Sequence, residues 1–299
     1  MFCVILIPDV REQKEGDAQV NDNMASNRIG VSWKISAYEE IEKMGYDYMD
    51  VIGTDLMNMS DGVFDEIASR VRKGSLPCCN ICLYCPPSLQ MMGDSFSAEA
   101  IRDYAKRMCD RCSVLGITGI GIGSGHSRRI PEGYNKNKAE GQLLESIRIT
   151  AEVAAVYGIC VMIEPLNSFV CNHMLSTKEA ADFIDRVSMD NVGMVFDFHH
   201  FTIMDERLDD LHSFVPYMRS VQFNEVDIVS GEKRFLVDEN ISIYQKQLGT
   251  LIKYGYSGSF SLEALITDDF STDAARSLRI TKQALENIYS SGFLHGTNN

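Results

Sequence analysis

An alternation repeated eight times constrains the fold more than any other feature of this chain. The runs RIGVSW, YDYMDVIG, PCCNICLY, ITGIGIGSG, ICVMIE, VGMVFD, MRSVQFNE and GSFSLEAL are short and rich in Val, Ile and Gly. Each is followed by an amphipathic stretch of roughly helical length, from SAYEEIEKMG after the first to STDAARSLRITKQALENIYS after the eighth. The sixth such stretch reads ERLDDLHSFVPY. Ser36 with Glu39, and Ser176 with Glu179, have the spacing of a capping box at a helix start. The apolar runs are continuous rather than alternating, which indicates parallel strands buried on both faces. Eight strand–helix units in about 270 residues match the size of a (β/α)8 barrel. An open, doubly wound sheet is the competing arrangement, but GIGIGSG is not a GxGxxG turn opening a helix, because about ten polar residues follow it first. The expectation is an α/β chain forming one (β/α)8 TIM barrel over residues 28–290. Residues 1–27 read as an N-terminal extension and 291–299 as a C-terminal tail.

Charge narrows the partners. The net charge of −14 and the lack of any Lys/Arg run longer than two disfavour a nucleic-acid backbone as ligand. MFCVILIP lacks a basic start and is too short to span a membrane or to serve as a secretory signal, so a soluble, cytoplasmic protein is expected. The nine cysteines are an odd number and read as reduced thiols. Cys79, Cys82 and Cys85 form CxxCxxC, and Cys109 with Cys112 forms CxxC. The two groups fall towards opposite ends of the barrel, roughly 20 Å apart, too far for one ion. They read as small apolar core residues, with Cys85 a candidate for oxidation.

In such a barrel functional groups gather at the carboxyl ends of the strands. Strand five ends on Glu164 with Asn167 beyond it, strand six on Asp197 with His199 and His200 beyond. Strand seven offers Gln222 and Glu225, and strand eight Glu263. Four consecutive strands therefore each present an oxygen ligand: Glu164, Asp197, Gln222 and Glu263, separated by 33, 25 and 41 residues. Neighbouring strands lie about 4.8 Å apart, so the four tips can converge on one ion. Three carboxylates and a carboxamide are a hard oxygen set that favours Mn2+ or Mg2+ over Zn2+. Trp33 could wall the pocket. His126, with Arg128 and Arg129, could hold a substrate phosphate or carboxylate, while His173 and His212 read as surface residues. The segment 227–238, carrying Lys233 and Arg234, reads either as a lid or as a solvated loop.

In order and spacing, MIEPLN, FDFHH, VQFNE and SLEAL resemble the xylose isomerase-like barrels, a group of sugar isomerases and epimerases that includes ketose 3-epimerases, hydroxypyruvate isomerases and inosose dehydratases. The resemblance runs from about Arg28 to the eighth helix. It implies that Glu164 and Glu263 bind a divalent metal and also exchange the substrate proton, that Asp197 is a ligand, and that His200 contacts a small sugar-like substrate. Two departures stand out. Gln222 occupies the strand-seven position that is commonly His, as it also does in the hydroxypyruvate isomerase-like branch. The region after Asn167 reads SFVC, where epimerase-like members often have a substrate-binding Glu. The implied activity is a metal-dependent isomerase or epimerase working through an enediolate. An inosose dehydratase-like lyase and a non-catalytic sugar-binding relative are the alternatives. A homo-oligomer to which residues 1–27 contribute is compatible with the sequence.

Overall fold

The computed structural model describes residues 27–290; the expected extension, apart from Asn27, and the tail lie outside this range. Eight parallel strands close on themselves. They are β1 (Ile29–Trp33), β2 (Tyr48–Ile52), β3 (Cys78–Cys82), β4 (Gly119–Ile122), β5 (Cys160–Ile163), β6 (Val192–Asp197), β7 (Met218–Phe223) and β10 (Phe260–Leu262), with β10 paired to β1. The separate pair β8 (Glu225–Val226) and β9 (Lys233–Arg234) forms a small antiparallel hairpin after β7. The barrel expectation holds: the barrel strands are buried apart from Trp33, Cys79, Asn80, Cys160 and Arg219, in keeping with continuous apolar runs.

The helices between the strands are α1 (Tyr38–Met44), α2 (Gly53–Asn58), α3 (Asp61–Lys73), α4 (Ala98–Leu115), α5 (Lys136–Val156), α6 (Thr177–Val187), α7 (Phe198–Ile203), α8 (Ile241–Lys253) and α9 (Phe270–Ser290). Ser176 caps α6 as expected, accepting from Glu179 N–H at 3.2 Å while the Glu179 carboxylate accepts from Leu175 N–H at 2.6 Å. The box expected at Ser36 does not form. Glu39 instead holds Arg70 of α3 in an ion pair, and Ser36 lies inside a 3-10 turn. The sixth unit also differs from its expected single helix. Asp197 starts α7 at once, and two 3-10 turns, Leu208–Ser213 and Val215–Tyr217, replace the rest, with Pro216 shaping the second. Among the described residues no helix is long and apolar enough to cross a membrane.

Closure is reinforced at Asn27, whose Nδ2 donates to Gly258 O at 2.7 Å and whose Oδ1 accepts from the Tyr289 hydroxyl. One residue ties the entry of β1 to the approach to β10 and to the end of α9.

The barrel interior carries one buried acid below the mouth. Asp50, in register with Ser32, accepts from the Asn80 N–H at 3.1 Å and from Asn80 Nδ2 at 2.8 Å. Burial pushes its carboxyl up to about 7, against the opposing hydrogen bonds of Ser261 and Asn80. Between roughly pH 4 and 7 the folded chain therefore holds a proton that the unfolded chain has released, so this group makes stability fall as pH rises. The full loss is roughly 4 kcal/mol above that window. Urea midpoints at pH 5 and pH 8 should separate more in the unmodified protein than in Asp50→Asn, whose side chain does not titrate. Equal separations in the two proteins would contradict this assignment.

Candidate active site

Register brings the acidic strand ends together. Asp197 pairs with Gln222 across β6 and β7, Gln222 pairs with Ser261 across β7 and β10, and Glu263 N–H donates to Phe223 O at 3.1 Å. Glu164 follows β5 directly. All four side chains are buried, with Glu164 the most accessible at 9%. Room for Glu164 comes from its neighbour strand: a Cβ at Gly123, just past β4, would collide with the Glu164 carboxylate.

A cation from outside the barrel sits among these acids. The Lys233 ammonium, on β9, donates to Asp197 Oδ2 at 2.6 Å and to Glu263 Oε2, and lies 3.9 Å from Glu164 Oε1. Its carbonyl accepts from Leu265 N–H at 3.0 Å and Ile266 N–H at 3.3 Å, so the segment after β10 helps hold the hairpin down. The segment 227–238 thus reaches the centre of the site through Lys233, while Ile228 and Val229 at its turn are exposed.

The proton affinities of the acids diverge. Burial alone would raise all three. At Asp197 it is overcome, foremost by Lys233 and then by His200 and His199, and the carboxyl falls to about 2. Glu164 also ends below the usual range, with His200 and Lys233 outweighing burial. At Glu263 burial wins over Lys233, helped by the charges of Glu164 and Asp197, and the carboxyl is raised.

His200 lies in the first turn of α7, with Nε2 3.2 Å from Glu164 Oε1 in a charge contact too oblique for an aligned hydrogen bond. Its Nδ1 accepts from the Asn167 backbone N–H at 3.2 Å and faces Asn167 Nδ2 at 2.9 Å. A backbone N–H can only donate, so the neutral ring carries its proton on Nε2, towards Glu164. His199 is buried beside it, and burial pushes it down to about 4, so it is neutral at pH 7.

The other candidates have surroundings of their own. Trp33 is half-buried, stacked on Phe270 at 4.4 Å and edge-on to Phe235 at 6.0 Å, joining β1 to the segments that follow β9 and open α9. Glu225 accepts from Asn240 Nδ2 at 2.9 Å and from the Tyr244 hydroxyl, anchoring the base of the hairpin. His126 is exposed on its loop. Arg128 is fully buried and unavailable to a substrate phosphate. It donates to Gly123 O at 2.5 Å and to the Glu164 carbonyl, and so fixes the backbone on either side of the Glu164 side chain. Sequence periodicity carried no signal for that role. His173, read as a surface residue, is buried 3.5 Å from Glu140, and Cys85 is buried with its thiol pushed up by burial, a poor target for oxidation.

Glu164, Asp197 and His200 each bring one potential ligand atom within 4.8 Å of the others, a group able to hold a metal ion. The donor set fits a divalent cation. Three carboxylates face one ammonium, and the buried Glu164 Oε1 and Gln222 Oε1 receive no hydrogen bond. With Nε2 protonated, His200 offers a hydrogen rather than a lone pair, which leaves the oxygen atoms as the better ligands.

The chain belongs to the xylose isomerase-like TIM barrel family, whose profile matches residues 38–288. It is 21% identical over 265 residues to an inosose isomerase of Bacillus velezensis, covering 86% of this chain and 92% of that one. Among solved structures it is similar to an L-ribulose 3-epimerase, with TM-score 0.72 and 15% identity over 91% of this chain and 99% of that one. It is also similar to the IOLI protein with a bound zinc atom, with TM-score 0.63 and 17% identity over 88% and 98% of the two chains. At these identities the solved structures show the fold alone.

The Asn167–His200 contact is open to a direct check. Nitrogen-15 NMR of the neutral ring should show an unprotonated Nδ1 and a protonated Nε2. A protonated Nδ1 in the unmodified protein would contradict the assignment.

Proposed function

We propose that the chain is an isomerase or epimerase of a small sugar-like hydroxycarbonyl compound, moving a proton on the carbon beside the carbonyl between Glu164 and Glu263. The observation that carries this reading is a pair of buried carboxylates, just after β5 and just after β10, that flank Lys233 with proton affinities displaced in opposite directions. Environments that push two like groups apart suit one to take a proton and the other to give one. Membership of the barrel family and similarity to an inosose isomerase and an epimerase support the reaction class.

Glu164, held ionised, would remove the proton from carbon. Glu263, held closer to its neutral form, would return one to the opposite face or to the neighbouring carbon, and the roles reverse in the other direction. His200 Nε2–H lies beside Glu164 without an aligned hydrogen bond to it and would donate to a substrate oxygen, its orientation set by Asn167. Arg128 holds the Glu164 backbone so that the carboxylate keeps its place. A divalent ion held by Glu164, Asp197, Gln222 and Glu263 would supply Lewis-acid polarisation of the carbonyl, and the all-oxygen donors favour Mn2+ or Mg2+.

Incubation with a panel of ketoses and inososes in deuterium oxide tests the proposal by solvent deuterium uptake beside the carbonyl. Glu164→Gln and Glu263→Gln should each lower uptake and turnover by about a hundredfold or more. Full uptake in both variants would overturn the two-glutamate mechanism. A product lighter by one water would assign the chain to the dehydratases instead.

A further inference from the structure

We propose that Lys233 is the built-in counter-ion of this carboxylate site, which a divalent ion must evict in order to bind, so that metal affinity is coupled to the seating of the β8–β9 hairpin. The proposal rests on the reading of Glu164, Asp197 and Glu263 as the ligand-bearing acids, and it goes beyond that reading by giving a role to a residue outside the ligand set.

The geometry leaves little choice. Lys233 Nζ is hydrogen-bonded to Asp197 Oδ2 at 2.6 Å and to Glu263 Oε2, the atoms that an ion shared by these acids would need. An ammonium and a divalent cation cannot occupy the same contacts on the same oxygens. Lys233 is buried, and its neutralisation of the cluster is partial: one positive charge stands against three carboxylates. Glu164 Oε1 and Gln222 Oε1 accept no hydrogen bond, so the site binds one cation and retains affinity for a stronger one.

The tether is short. The hairpin has only two paired positions, Glu225 with Arg234 and Val226 with Lys233, and its turn exposes Ile228 and Val229. Its base is fixed separately through Glu225 to Asn240 and Tyr244. Withdrawal of the lysine arm breaks its ion pairs and loosens the hydrogen bonds that the Lys233 carbonyl accepts from Leu265 and Ile266. By linkage, whatever holds the hairpin down weakens the metal, and the metal loosens the hairpin by the same factor.

Metal-free protein titrated with manganese(II) chloride and followed by EPR provides the test. Lys233→Met should bind Mn2+ roughly tenfold or more tightly than the unmodified protein, because the competing charge is gone. Arg70→Met should not change the affinity, since Arg70 pairs with Glu39 away from the hairpin. In the unmodified protein, which avoids any folding defect of the variant, saturating Mn2+ should speed amide exchange in residues 226–234. Equal or weaker Mn2+ binding by Lys233→Met, or unchanged hairpin exchange on loading, overturns the proposal. Asp197→Asn separates the two layers. If it abolishes Mn2+ binding while Lys233→Met fails to tighten it, only the counter-ion role falls. If it leaves binding intact, the ligand assignment itself falls.

Discussion

The top of this barrel depends on one balance of charge. Three acids reach one buried space from β5, β6 and the end of β10, and Lys233 is the cation placed among them. Uncompensated carboxylates in such a setting repel one another and lose hydration, so they must be protonated, paired or bound to a cation. The structure uses the first two unevenly. Asp197, hydrogen-bonded to Lys233 and facing His200, is held firmly ionised, while Glu263 drifts towards its neutral form. The same imbalance that leaves room for a further cation also differentiates the two glutamates chemically.

The surrounding fold serves that arrangement. Gly123 leaves space for the Glu164 carboxylate, and Arg128 ties the Gly123 and Glu164 carbonyls together. Asn167 presents its own backbone to His200 and so decides which ring nitrogen faces the acids. Each of these residues lies in a loop at a strand's carboxyl end, while the packed strands beneath supply the rigidity.

How much of this could be read in the sequence follows from what makes a signal local. Parallel barrel strands are buried on both faces, so runs such as ICVMIE and VGMVFD announced themselves, and their last residues fell at the mouth. Position along a strand is a one-dimensional property, and Glu164, Asp197, Gln222 and Glu263 were accordingly legible. The arrival of Lys233 was not: it depends on a hairpin whose strands are two residues each, too short for any period to show. Arg128 read as a cation for a substrate phosphate or carboxylate because nothing in its neighbourhood predicts that a guanidinium will bond backbone carbonyls inside the protein. The Ser36 box failed for a related reason, since Glu39 found a distant partner in Arg70. The sixth helix gave way to short turns because Asp197, capping α7, starts helical structure at the strand's very end.

The central claim is that the acids after β5, β6 and β10 form one cation site on which Lys233 and a divalent ion exclude each other. A crystal soaked in manganese and measured at the manganese absorption edge tests it directly. The account predicts an anomalous peak in contact with Asp197 and Glu263, with the Lys233 ammonium moved off both carboxylates. A peak elsewhere, or manganese bound beside a Lys233 still hydrogen-bonded to Asp197 and Glu263, would contradict it.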